Sequence, residues 1–212
     1  MIEILGAILC ALFAGYYIFV VRKTVFGVKM IVFIALSSAI AFVLSMVKIF
    51  SLPHGGSINL IPMLPIIVVS LISGRGAGMT SGLVYALLNL MTSPYILTPV
   101  QFLLEYFVSP MIVGNANLFG IKGRKRILAG GFVVLGLQFL LHFLAGAIYF
   151  GEYAGEGQSI WLYSFIYNGS TTGITSILTC AVLTVFPLHI FLKNKDLKPP
   201  AREKKIETEV QN

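Results

Sequence analysis

Two ionisable side chains sit inside apolar stretches of this chain, Glu105 in Gln101-Phe102-Leu103-Leu104-Glu105-Tyr106 and His142 in Leu141-His142-Phe143. An ionisable group in an apolar helix is costly unless it is paired, hydrated or used. A carboxylate accepts hydrogen bonds and compensates a cation. An imidazole donates from one nitrogen and accepts at the other, which suits a nitrogen heterocycle. Facing one another, the two would make an acid–base pair or a polar clamp. Each also has a simpler reading: a carboxyl near a helix end that reaches water, and a histidine satisfied by packing. Asn168 poses the same question, because a buried amide needs partners from a ligand or from neighbouring Ser and Thr hydroxyls.

Aromatic residues gather near these groups: Tyr149, Phe150, Tyr153, Trp161, Tyr163 and Tyr167. They would cover a ring system, or form the aromatic belt that marks a membrane interface. Pro53-His54-Gly55-Gly56-Ser57 is either a glycine backbone that approaches a ligand closely or a plain turn. Ala35 and Ala39, four residues apart, let another helix approach, within the bundle or from a partner. No glycine-rich phosphate loop, paired-histidine zinc motif or acidic pair spaced for a metal occurs. No metal or cofactor is therefore expected, and any active transport draws its energy from a partner or an ion gradient. Cys10 and Cys180 lie in apolar runs and do not make a disulfide framework.

The elements that hold these residues are membrane helices. Of 212 residues 57% are hydrophobic and 11% charged, with mean hydropathy +0.91. Soluble domains carry about 25% charged residues, so too few are present to cover a globule in water. Apolar runs cover Met1–Val21, Met30–Phe50, Leu60–Ser73, Met79–Met91, Thr98–Phe119, Ile127–Phe150 and Ile160–Leu192. The first lacks the leading positive charge of a cleaved signal peptide and reads as a retained helix. The third and fourth are hinged at Gly74-Arg75-Gly76-Ala77-Gly78 and are short, about 21 Å at most. They are two sheltered helices or a re-entrant hairpin; Arg75, costly at mid-membrane, favours two helices. The last run is interrupted at Asn168–Gly173, and the polar residues 193–212 are expected to be a disordered cytoplasmic tail.

Seven spans with the N-terminus outside put fourteen of the 15 Lys and Arg side chains in the cytoplasm. They are Arg22, Lys23 and Lys29, then Arg75, then four between Lys122 and Arg126, then six in the tail; only Lys48 falls outside. This split fixes the expected orientation, N-terminus outside and C-terminus cytoplasmic, in a plasma membrane. It also accounts for the net charge of +7 without nucleic acid.

Tyr95-Ile96-Leu97, Gln101, Leu104-Glu105-Tyr106, His142-Phe143-Leu144-Ala145-Gly146, Tyr153-Ala154, Tyr163 and Asn168-Gly169 follow one another in a recognisable order and spacing. Over about residues 30–192 the chain resembles the thiamine-specific substrate-binding subunits, or S components, of energy-coupling factor transporters. The resemblance implies an all-α membrane protein, a six-helix bundle with its pocket near the outer face. It implies partners too: a transmembrane coupling subunit carrying two cytoplasmic ATPase subunits, which supply the energy this chain cannot. Glu105, His142, Tyr163 and Asn168 match the polar ligands for thiamine, and Tyr95 and Tyr106 match aromatic positions near the pocket. Ala35 and Ala39 match the contact to the coupling subunit. On this reading residues 1–22 form an extra N-terminal helix and residues 29–192 the binding domain.

The chain departs from the pattern where tryptophans are expected: Phe150 and Gly155 replace two, and the loop before Leu60 has Gly-Gly-Ser. Stacking then falls to Phe150 and Tyr153, with Trp161 a further candidate. Because a thiazolium cation prefers a Trp face to Phe, a thiamine precursor or another vitamin is the alternative ligand. An intramembrane enzyme using Glu105 and His142 is the alternative of a different class.

Overall fold

The computed structural model describes residues 2–53, 56–92 and 94–188, together with residues 190 and 197. The expected disordered tail and the His54-Gly55 part of the glycine loop lie outside the described residues.

Seven principal helices are present among them. We label these α1 (Ile2–Val21), α2 (Val28–Met46), α3 (Met63–Ser73), α4 (Arg75–Asn89), α5 (Pro99–Val113), α6 (Arg124–Tyr149) and α7 (160–185). By length and apolar composition α1, α2 and α6 suffice to cross a membrane. The short α3 is the centre of the bundle. Ten of its eleven residues are buried, the signature of a helix that is apolar all round and enclosed by neighbours. With Ala41, Tyr85, Val134, Leu135 and Leu183 it forms the main core.

Gly74 turns α3 into α4 with φ +92°, a conformation L side chains avoid. Arg75 stands exposed at that turn, so the 60–91 region is two helices with the arginine at a bundle end. The same end is stitched tightly. A Cβ on Gly114 would overlap the backbone of Gly78 and Met79, and further along α4, toward mid-bundle, one on Gly82 would overlap Pro110. Ser38 Oγ of α2 lies 2.9 Å from Ser81 Oγ of α4, besides donating to its own Ile34 carbonyl at 2.8 Å. The basic links, with Arg22, Lys23, Lys29, Arg75 and Lys122–Arg126, lie at this end.

One element departs from the all-helical expectation. The second apolar run leaves helix at Met46 and forms a strand β1 (Lys48–Ser51), paired antiparallel with β2 (Ser57–Asn59). Ile49 and Phe50 extend the apolar run in composition, yet Val47 is already extended at φ −81°, ψ 92°. β-Branched and aromatic residues beside a turn-forming stretch favour a hairpin over another helical turn.

α1 lies along α4 and α5. Tyr16 donates to Asn115 Oδ1 at 2.9 Å, Tyr17 meets Thr80 at 3.2 Å, and Gly6 brings the helix onto Val100. The outward face of α2, with Ala35 and Ala39, is left exposed.

Candidate functional site

At the end of the bundle away from the basic links the helices part around a cavity of about 630 Å³. Two local departures from α-helical winding shape it. In α5, residues Leu103–Val108 are π-helical, and the Ser109 N–H reaches back five residues to the Leu104 carbonyl. Pro110 explains the place: it has no N–H to give the preceding turn, so an extra residue is accommodated there most easily. In α7, Gly169–Gly173 is π-helical, and the Ile174 N–H reaches Gly169. Here Ser170 and Thr171 hydroxyls both donate to the Tyr167 carbonyl, at 3.0 and 2.9 Å, competing with the backbone ladder. The interruption expected at Asn168–Gly173 is thus a widened turn within one continuous helix.

The π turn of α5 carries Glu105 and Tyr106 into the cavity lining, and α6 supplies His142 from the facing side. Glu105 Oε1 lies 3.4 Å from His142 Nδ1, with 13% of the carboxylate side chain and 22% of the imidazole exposed. His142 Nε2 lies 2.9 Å from Ser109 Oγ, which accepts from Gln138 Nε2 at 3.3 Å. The other carboxylate oxygen accepts a short hydrogen bond from Gln101 Nε2, and Gln101 is itself fully buried. Gln101 is held in turn by the Leu97 N–H at 3.1 Å and the Tyr95 carbonyl at 3.3 Å. One line of polar groups therefore runs Gln101–Glu105–His142–Ser109–Gln138. It orients the carboxylate and fixes the imidazole between an acid and a hydroxyl, leaving both able to meet a polar ligand.

Asn168 is 7% exposed and gives its Nδ2 to the Ser164 carbonyl at 3.0 Å and Ser164 Oγ at 3.2 Å. Its carbonyl Oδ1 is the group left for the cavity. Gly146 of α6 makes room for this pair, since a Cβ there would overlap Ser164 Oγ and Asn168 Nδ2.

Tyr95, Phe150, Tyr163 and Tyr106 also line the cavity. Tyr95 stacks obliquely on Phe150 at 6.0 Å between centroids, and Tyr106 takes the Tyr95 N–H at 2.8 Å. Tyr153, expected to cover a ring, does not line the cavity. It sits behind Phe150 at 6.2 Å and shares a 2.6 Å hydrogen bond with Tyr95. That bond pushes its phenol up to about 12. Trp161 is also outside the lining. It is half exposed against Phe143, as a lipid-facing aromatic would be.

Two features go beyond the sequence-based expectations. Gln101, Ser109 and Gln138 stand four residues from Glu105 or His142, a spacing that puts them on the same helix face; that signal was readable. Tyr167 is the second. Its hydroxyl takes the Gly56 N–H at 2.7 Å and donates to the Pro53 carbonyl at 2.5 Å, pinning the hairpin to α7.

Residues 31–194 match the family model described as thiamine transporter protein (Thia_YuaJ). The chain is similar to the thiamine transporter ThiT of Bacillus subtilis, 31% identical over 165 residues, covering 71% of this chain and 85% of the relative. It is similar to ThiT of Lacticaseibacillus paracasei at 27% identity, over 63% of this chain and 77% of that protein. In fold it resembles the solved structure of ThiT from Listeria monocytogenes with TM-score 0.63 at 23% identity, over 81% of this chain and 98% of that one. A solved S component of a bacterial ECF transporter is similar in fold at TM-score 0.54 and 22% identity, over 78% of this chain and 98% of that one. The matched span begins after α1.

Proposed function

The chain belongs to the thiamine transporter protein family, and from that premise we propose that it captures thiamine as the S component of an energy-coupling factor importer. The observation that carries this reading is the polar line Gln101–Glu105–His142–Ser109–Gln138 beside a cavity of about 630 Å³. Cavities of ~300–1,000 Å³ suit a small ligand. Thiamine joins a neutral aminopyrimidine to a cationic thiazolium. Glu105 accepts from the amino group and supplies countercharge. His142, Tyr163 and Asn168 complete the polar contacts to the heterocycle, while Tyr95, Tyr106 and Phe150 cover it. Tyr153 acts through Tyr95 and Phe150.

The bundle is oriented with α1 entering from outside, the cavity at the outer face and the basic links in the cytoplasm. Positive links gathered at the end remote from the cavity support that orientation. The exposed Ala35–Ala39 face of α2 docks on a transmembrane coupling subunit, and two cytoplasmic ATPase subunits bound to that partner drive release. The chain itself binds its ligand without converting it.

Calorimetric titration of the purified protein tests the reading. Trp161, the single tryptophan, lies outside the cavity, so heat is a better signal than fluorescence. Micromolar or tighter thiamine binding by the wild type is expected. No binding of thiamine or of its pyrimidine half overturns the proposal.

A further inference from the structure

Helix α1 lies before the span that matches the family and contributes no residue to the cavity lining. Its far end brings two cations to a third. The chain stays wound past Val21: the Arg22 N–H reaches the Ile18 carbonyl at 3.0 Å, and the Lys23 and Thr24 N–H groups reach the Val20 and Val21 carbonyls at 3.2 and 2.9 Å. Thr24 Oγ1 donates to the Val20 carbonyl at 3.1 Å and packs against Gly76, where a Cβ would overlap it. Gly76 directly follows Arg75, the exposed first residue of α4. Arg22, Lys23 and Arg75, all exposed, are thereby brought to one corner of the basic end.

Two observations bear on what meets that corner. The first is that no carboxylate among the described residues balances it. The sequence holds no Asp or Glu between Glu3 and Glu105. Glu3 starts α1 at its other end, Glu105 lines the cavity, and Glu152 and Glu156 follow the other end of α6. Cations gathered without an acid repel one another, a cost offset when an anion arrives. The second is where Lys23 points. Its Nζ stands 3.7 Å from the centroid of the Phe19 ring, and Phe19 is exposed on a helix apolar enough to cross a membrane. The ammonium is thus held at the edge where α1 meets lipid, at headgroup depth. Orientation in the membrane needs only a count of cations on one side. It does not need α1 fastened to α4 with its cations beside Arg75.

We infer that Arg22, Lys23 and Arg75 form a headgroup site for an anionic phospholipid, with the phosphate held between the end of α1 and the start of α4 and the acyl chains along the exposed face of α1. Guanidinium groups suit a phosphate because each offers paired N–H donors. The site gives α1 a task of its own, fixing the closed end of the bundle at the membrane surface. It is independent of what the cavity binds.

Native mass spectrometry of the full chain in detergent tests the site, with phosphatidylglycerol, phosphatidylcholine or inorganic phosphate added at equal concentration. Phosphatidylglycerol should bind at least about tenfold more tightly than phosphatidylcholine. Arg22→Gln, Lys23→Gln and Arg75→Gln together should remove that preference, since each cation near the membrane surface contributes about fivefold. A second triple variant, Arg124→Gln, Lys125→Gln and Arg126→Gln, lowers the net charge equally. These cations open α6, which packs on the chain leaving α5, where a Cβ on Gly130 would overlap the Ala116 carbonyl. The second variant should keep the preference within about twofold, because exposed charges more than ~8 Å away are screened at about 0.15 M salt. Equal retention of the two lipids by the wild type overturns the site. So does a preference that survives the first triple variant, or one that falls as far in the second, which would make it a diffuse effect of net charge. Inorganic phosphate bound as tightly as phosphatidylglycerol would assign the corner to a soluble anion and overturn the lipid.

Discussion

The two ends of this bundle use the same helices in contrary ways. At the basic end α4 and α6 and the chain leaving α5 close until backbone meets backbone, with Gly78, Gly114 and Gly130 at the contacts. At the other end α5 and α7 each take in a π turn, and the helices part around a polar cavity. Small residues supply attraction at the closed end, because close packing is what drives helices together in a membrane. Extra residues in the winding create room at the open end. The difference teaches that the cavity is built by helix geometry as much as by side-chain size. The closed end acts as the fixed point from which the open end is held apart.

The largest expected effect breaks the closed end. Gly114→Val puts branched carbons where the Gly78 and Met79 backbone lies. It should cost about 3 kcal/mol or more, at or beyond the upper end of overpacking penalties. Thermal unfolding followed by circular dichroism in detergent should show a large loss of melting temperature, with ligand binding lost alongside. An unchanged melting temperature would contradict the fixed-point account.

A smaller effect belongs to the open end. Gln101→Leu removes a buried donor from Glu105 without touching the cavity lining. Thiamine affinity should fall about tenfold while the unliganded melting temperature falls little. Wild-type affinity in this variant would show that the carboxylate needs no orienting partner.

Removing residues 1–27 distinguishes both ends from α1. This helix lies before the matched span and contributes no residue to the cavity lining. Thiamine affinity should stay within about twofold, as expected for a change distant from the site. The melting temperature should drop through loss of the Tyr16–Asn115 and Tyr17–Thr80 contacts. A tenfold loss of affinity would make α1 part of the binding device.

Lys48→Gln has the smallest expected effect, a rise in thiamine affinity of about twofold that fades as salt is added. The lysine is exposed, and salt screens its repulsion of a cation.

Much of this contrast was readable from residue types. Glu105, His142 and Asn168 stand out by cost alone, and all three line the cavity. The Gly74–Gly78 hinge between two short helices followed from composition. The π turns were not readable, because one added residue changes no composition. Their cause lies in competing hydrogen bonds around Pro110 and Ser170-Thr171. The hairpin was hidden because Ile49 and Phe50 continue an apolar run. Tyr153 and Trp161, expected as ring covers, stand outside the cavity lining, for a related reason: an aromatic in a loop or on a helix face looks alike whether it points at a ligand, a neighbour or lipid.

The most direct test of the central claim, that the open end binds thiamine through Glu105, is native mass spectrometry of the detergent-purified protein with thiamine added. The account predicts one thiamine per wild-type chain and about 100-fold weaker occupancy in Glu105→Gln, which keeps the shape but removes the charge-assisted bond. No adduct on the wild type, or equal occupancy in the two proteins, would contradict it.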